Sequence, residues 1–125
     1  MTVVYDAGAL IAAERNDRRV WAEHRARLEA GIVPLTTAPV VAQASRSPRQ
    51  AQLRRFLAGC DVTEFEGAEA HKVGTLLAHA AMSDVVDAHV VLTAFRHRRA
   101  VLTSDPHDLR ALSEQLPNPV ELRLV

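Results

Sequence analysis

Asp84 and Asp87 lie three positions apart, about one helical turn, at the start of the apolar run Ser-Asp-Val-Val-Asp-Ala-His-Val-Val-Leu. Asp105 follows the β-like run Ala100-Val-Leu-Thr, and Asp6 follows Val3-Val4-Tyr5. If both runs are neighbouring parallel strands, Asp6 and Asp105 leave the sheet at the same edge, where the helix carrying Asp84 and Asp87 also begins. Gathered carboxylates repel one another, so a fold that assembles them normally adds a cation. Oxygen ligands of this kind suit Mg²⁺ or Mn²⁺ better than zinc. Such ions, singly or paired about 3.5–4 Å apart, can activate water and stabilise a leaving oxygen during phosphodiester cleavage.

Each acid also has a plain structural reading. Asp84 serves as an N-cap, Asp87 complements the helix dipole, Asp105 caps the helix that Pro106 opens, and Asp6 caps the first helix. Capping explains the acids one at a time. It does not predict that they should meet at one edge.

The elements that must position them alternate between strand and helix. Val3 to Tyr5 is a strand, and Ala9, Leu10, Ala12 and Ala13 give helical spacing up to Asn16. A second helix over Asp17 to Ala30 turns Val20, Trp21, His24 and Leu28 inward and is closed by Gly31. Ile32 to Thr36 forms a strand, and Thr37 caps a short helix with Pro39 in its first turn, Val40, Val41 and Ala44 toward the core and Gln43 in its third turn. A helix from Arg49 to Ala58 buries Leu53, Phe56 and Leu57. Cys60 to Phe65 reads as a strand, and Glu66 to Ala80 as a helix with Ala70, Val73, Leu76, Leu77 and Ala80 inward. A helix from Asp84 to Arg98, a strand from Ala100 to Thr103, a helix from Pro106 to Leu116 and a strand from Val120 to Val125 complete the chain. This alternation predicts one α/β domain over residues 1–125: a parallel central sheet of about five short strands, flanked by helices on both faces. In such sheets a ligand sits outside the carboxyl ends of the strands. Gln43 can reach that edge from its own helix.

At 48% hydrophobic residues, 125 residues can bury a core without disulfides or metals to staple it. The single cysteine, Cys60, excludes an internal disulfide framework and reads as a small hydrophobe in mid-strand. No signal peptide opens the chain and no apolar run is long enough to span a membrane, so a cytoplasmic protein is expected. Net charge is zero, and Lys72 is the only lysine. Arginine's planar fork suits phosphate, although a GC-rich genome yields the same composition. Arg15 and Arg46 each follow a helix that starts at the acidic edge and are the arginines best placed to track a phosphate backbone; the others read as solvated helix faces.

Other chemistries lack their patterns. The six histidines form no HExxH pair or Cys/His spacing and are expected at surface or boundary positions. There is no GxSxG elbow and no glycine-rich phosphate loop.

Four segments resemble the PIN-domain ribonucleases, especially the VapC-type toxins of bacterial toxin–antitoxin pairs: Val-Tyr-Asp-Ala-Gly-Ala-Leu, Pro-Val-Val-Ala-Gln, Ser-Asp-Val-Val-Asp-Ala-His and Leu-Thr-Ser-Asp-Pro-His-Asp-Leu. The resemblance covers essentially the whole chain, and the last two segments are the most diagnostic. It implies that Asp6, Asp87 and Asp105 bind the metal, with Asp84 close by and Thr103 or Ser104 hydrogen-bonding near the site. It also implies Mg²⁺- or Mn²⁺-dependent RNA cleavage, a homodimer and inhibition by a small cognate antitoxin. The chain departs from the pattern at Gln43, where the family commonly carries a glutamate, and at Gly8, where a small polar residue is often found. An uncharged residue at 43 weakens a second metal position. A degenerate PIN-like module that binds RNA or a partner protein without cutting, and a nuclease acting on DNA, are the alternative readings.

Overall fold

The computed structural model describes residues 2–125. In chain order the elements are β1 (Val3–Tyr5), α1 (Ala7–Glu14), α2 (Arg18–Glu29), β2 (Leu35–Thr37), α3 (Ala38–Ala44), α4 (Ala51–Leu57), β3 (Asp61–Thr63), α5 (Gly67–Ala80), α6 (Val85–His97), β4 (Ala100–Thr103), α7 (Pro106–Ser113) and β5 (Leu122–Leu124). The strands form one five-stranded sheet in the order β3-β2-β1-β4-β5. Every pairing is parallel, as the strand–helix alternation predicts.

Burial follows from that order. β1 and β4 lie inside the sheet, and Val3, Val4, Tyr5, Val101 and Leu102 are buried as continuous apolar runs, the signature of strands covered on both faces. The edge strands β3 and β5 are polar or half-exposed. Leu10, Val40, Val73, Val90, Leu109 and Leu112 come from helices packed over the sheet and close the core. A second knot of side chains joins α2 and α4: His24 stacks on Phe56 with ring centroids 3.9 Å apart, and Trp21 meets Phe56 edge-on at 5.1 Å. His24 Nδ1 lies 2.9 Å from the Tyr5 hydroxyl. Burial is the main reason that the His24 pKa falls to about 4 and that of Tyr5 rises to about 12.

Several local readings shift for identifiable reasons. β2 begins at Leu35 because the Ile32 amide donates instead to Arg27 O at 2.8 Å, closing α2, and Pro34 has no amide to give. Gly31 makes that closure with φ +75. α4 starts at Ala51 because Gln50 ties down the preceding turn, accepting from the Arg46 amide at 2.7 Å and donating to Ala44 O at 3.0 Å. α7 stops at Ser113, whose hydroxyl accepts from the Val120 amide at 2.6 Å and turns the chain toward β5. Cys60 precedes β3 and is half-buried, its thiol pushed up to about 12 chiefly by burial.

Three burial expectations are overturned. Leu28 is 39% exposed, since the α2 face that turns inward is set by Val20 and His24. Ala70 is exposed, and its neighbour Glu69 is buried. Glu69 is drawn inward by Arg96 Nη1 at 2.8 Å and by His89 Nε2 at 3.6 Å. His89 is accordingly fully buried, against the surface or boundary role expected for it.

Candidate active site

Parallel register brings the first two components together. Tyr5 pairs with Leu102, so the next residues, Asp6 and Thr103, emerge side by side at the carboxyl edge of the sheet. Thr103 is fully buried, and its hydroxyl donates to Asp6 Oδ2 at 2.8 Å. The same oxygen accepts from the Asp105 amide at 3.1 Å. One threonine therefore sets both the Asp6 carboxylate and the backbone that launches Asp105.

Asp6 is the N-cap of α1, yet its side chain makes no capping bond. Its backbone holds the chain in place: the amide donates to Leu102 O at 3.0 Å, and the carbonyl accepts from Ala9 at 3.1 Å and Leu10 at 3.4 Å. The carboxylate is left available, 9% exposed at the sheet edge. Asp105 caps α7 by accepting from the His107 amide at 3.4 Å, and Asp84 caps α6 by accepting from the Asp87 amide at 3.0 Å. Both of these acids are exposed.

Asp87 sits inside the first turn of α6, half-buried. Its carboxyl is pushed up to about 7, first by burial and then by Asp84, Asp6, Asp108 and Asp105. That interaction set links acids at the starts of three helices: Asp6 at α1, Asp84 at α6, and Asp105 and Asp108 at α7. Asp108 is not among the acids that the sequence motifs single out. Its signal is nonetheless present, because Asp105 and Asp108 repeat the cap-plus-three spacing of Asp84 and Asp87.

Gln43 lies in the second turn of α3, which is only seven residues long and has no third turn, and its side chain is exposed. α3 therefore adds no acid to the field at Asp87. Ser104 is exposed and fills the space beside Gly8: a Cβ placed on Gly8 would come within 2.7 Å of Ser104 Cβ and 2.8 Å of its amide, and closer still to its hydroxyl. Glycine at position 8 is thus matched to the backbone of the Ser104 turn. Arg15 caps the far end of α1, about 12 Å along the helix from Asp6, outside the acidic edge. Arg46 folds back on α3, donating to Ala42 O at 3.3 Å and Ser45 O at 2.8 Å.

The donors at this edge are carboxylate and hydroxyl oxygens, the hard set that suits Mg²⁺ or Mn²⁺. Among the described residues, no group of three or more His, Cys, Asp or Glu side chains stands close enough together to hold an ion. An ion at this edge would have to keep most of its waters and rest on one or two carboxylates, as Mg²⁺ commonly does.

This parallel sheet, with acids gathered at its carboxyl edge, is the PIN-like fold that the sequence motifs resemble. Among solved structures the chain is similar to VapBC2 from Rickettsia felis bound to a DNA fragment from their promoter, with a TM-score of 0.74 and 14% identity over 100% of this chain and 99% of that one. It is also similar to PAE2754 from Pyrobaculum aerophilum, with a TM-score of 0.64 and 16% identity over 97% of this chain and 89% of that one. FitAB bound to an IR36 DNA fragment gives a TM-score of 0.62 and 15% identity over 98% and 94% of the two chains. No family model and no curated protein matches the sequence, so the likeness lies in the fold. No single helix among the described residues is long and apolar enough to cross a membrane.

Proposed function

We propose that the chain is a Mg²⁺- or Mn²⁺-dependent endoribonuclease, the toxin of a toxin–antitoxin pair, with Asp6, Asp87 and Asp105 holding the ion. The observation that carries this reading is that acids at the N-termini of three helices, α1, α6 and α7, lie at one sheet edge, with Thr103 fixing Asp6 and the Asp105 turn together. A fold that gives up stability to such repulsion gains when a cation enters. When bound, the ion supplies a lowered water pKa and offsets charge developing on the phosphodiester.

The chain's own groups divide the remaining work. Asp6 is oriented by Thr103 and stays an acceptor at the edge. Asp87, whose carboxyl is raised to about 7 first by burial and then by the surrounding acids, is the group whose charge a bound cation would relieve most. Asp84 and Asp108 keep that carboxyl raised, and Asp84 also anchors the Asp87 amide. A small antitoxin is an expected partner, in line with the two-component names VapBC2 and FitAB of the similar structures, and a second copy of the chain is expected from the resemblance of the motifs.

The test is cleavage of RNA by the purified chain with added Mg²⁺ or Mn²⁺, its arrest by EDTA, and its loss in Asp6→Asn and Asp87→Asn. Cleavage that persists in both variants would overturn the site. The missing charge at Gln43 favours one competing reading, a PIN-like module that binds RNA or a partner without cutting. RNA binding that survives EDTA, with no cleavage of any RNA tested, would establish that module instead.

A further inference from the structure

We infer a second nucleic-acid contact, a phosphate-binding pocket between α2 and α4 built by Arg18, Arg25 and Arg55. The pocket has a volume of about 270 Å³ and is also lined by Asn16, Trp21 and Gln52, with no acid in its wall. All three arginines are exposed, and among the described residues none has a carboxylate within ion-pairing distance. The acids nearest in sequence make no ion pair with these arginines: Asp17 accepts from the Val20 amide at 3.0 Å, Glu23 pairs with Arg19 at 3.0 Å, and Glu14 accepts from the Leu53 amide at 2.6 Å. In a chain of zero net charge, three guanidinium groups without an ion-pair partner around one hollow concentrate positive charge there.

The geometry favours a nucleic-acid strand over an acidic peptide. Arg18 and Arg25 are seven residues apart on α2, hence on one face and roughly 10.5 Å apart along the axis. That is about three steps of a stacked strand at 3.4 Å per nucleotide. An extended peptide advances at nearly the same rate per residue, but acids three residues apart point to opposite sides. Phosphates recur at every step and do not have to alternate. Arg55 enters from the facing helix, held over the Trp21 ring at 5.6 Å and donating to Gln52 Oε1 at 3.0 Å, so it is ordered before any ligand arrives. Trp21 is itself fixed by its indole N–H, which donates to Ala13 O at 2.9 Å.

The position suits an extended substrate. Asn16 follows the end of α1, whose start carries Asp6, so the length of that helix, about 12 Å or roughly four stacked nucleotides, lies between the rim of the pocket and the acidic edge. The pocket would hold the strand some nucleotides away from the bond to be cut. This inference rests on the proposed reading of the chain as an RNA-binding nuclease.

Trp21 is the only tryptophan, so its fluorescence reports the pocket directly in the unmodified protein. Titration with a single-stranded RNA oligonucleotide in EDTA should change Trp21 emission saturably. The combined variant Arg18→Gln, Arg25→Gln, Arg55→Gln should lower the slope of log K against log salt by about 2, at roughly 0.7 for each phosphate that no arginine neutralises any longer. Circular dichroism establishes that the variant is folded, and Arg55→Gln alone, expected to lower the slope by about 0.7, serves if the combined variant is not. RNA binding with unchanged Trp21 emission and an unchanged slope would overturn the pocket and leave the nuclease reading intact. A response in emission and slope without any metal-dependent cleavage would keep the pocket and remove the nuclease. A polyglutamate peptide that shifts Trp21 emission more strongly than RNA of equal charge would overturn the nucleic-acid assignment.

Discussion

Thr103 donates to Asp6 Oδ2 across 2.8 Å although the two residues are 97 positions apart in sequence. The bond is buried, and the Thr103 oxygen is shared with the Asp105 amide. Thr103→Val keeps the shape and removes the donor, leaving Asp6 free to rotate. Loss of a group that orients a metal-binding side chain typically costs about 10–100-fold in affinity or activity. The expected outcome is a fall of that size in Mg²⁺-dependent cleavage with circular dichroism unchanged. Thr103→Ser should retain most of the activity, and a loss in Thr103→Ser with Thr103→Val unaffected would show that the methyl group, not the hydroxyl, matters.

Asp87 gives the protein a distinctive pH dependence. Its folded pKa of about 7 lies above the ordinary carboxylate value, so the folded state binds more protons than the unfolded state between about pH 4 and 7. This contribution to stability is therefore present in acid and is lost as pH rises through 7. His24 opposes it: with a folded value of about 4 it favours folding as pH rises from 4 toward 6.5. His89, also lowered by burial, acts in the same direction as His24. The Asp87 contribution is isolated by the difference between wild type and Asp87→Asn. Without metal, the variant should melt higher than wild type at pH 8, with the gap closing toward pH 5. Thermal melts that show no such convergence would remove Asp87 from the repulsive centre.

Added cation should reverse that repulsion. Mg²⁺ or Mn²⁺ should raise the wild-type melting temperature at pH 8 by mass action and leave Asp87→Asn nearly unmoved. Equal shifts in both proteins would mean that the ion binds elsewhere.

Gln43→Glu places one more charge on α3 facing a solvent-rich edge. A unit charge a few ångström from an ion in such surroundings is worth about 1 kcal/mol, roughly a fivefold change in affinity. Calorimetry should therefore show several-fold tighter Mn²⁺ binding. An unchanged affinity would mean that position 43 does not face the ion.

Gly8→Ala would drive a methyl into Ser104, with approaches of 2.7 and 2.8 Å to the Ser104 side chain and amide. Overpacking of this kind costs about 1–3 kcal/mol, read as a lower denaturation midpoint. Adding Ser104→Gly should restore only part of the loss, because the clash with the backbone amide remains.

The sequence by itself determined those features whose causes are local. Val3-Val4-Tyr5 and Ala100-Val-Leu-Thr are short β-branched and apolar runs that read as strands buried on both faces, and each runs directly into an acid or the turn that holds one. Thr37, Asp84 and Asp105 announce their helices because a capping side chain acts within three residues. The order β3-β2-β1-β4-β5 was decided by tertiary pairing alone, and with it the adjacency of Asp6 and Thr103. Burial of Glu69 in place of Ala70 likewise depends on Arg96 and His89 across a helix pair, which no periodicity within Gly67–Ala80 encodes. The same reason explains why Asp108 joins the acidic edge only in the folded chain: its spacing from Asp105 is local, whereas its effect on Asp87 requires α6 and α7 to pack side by side.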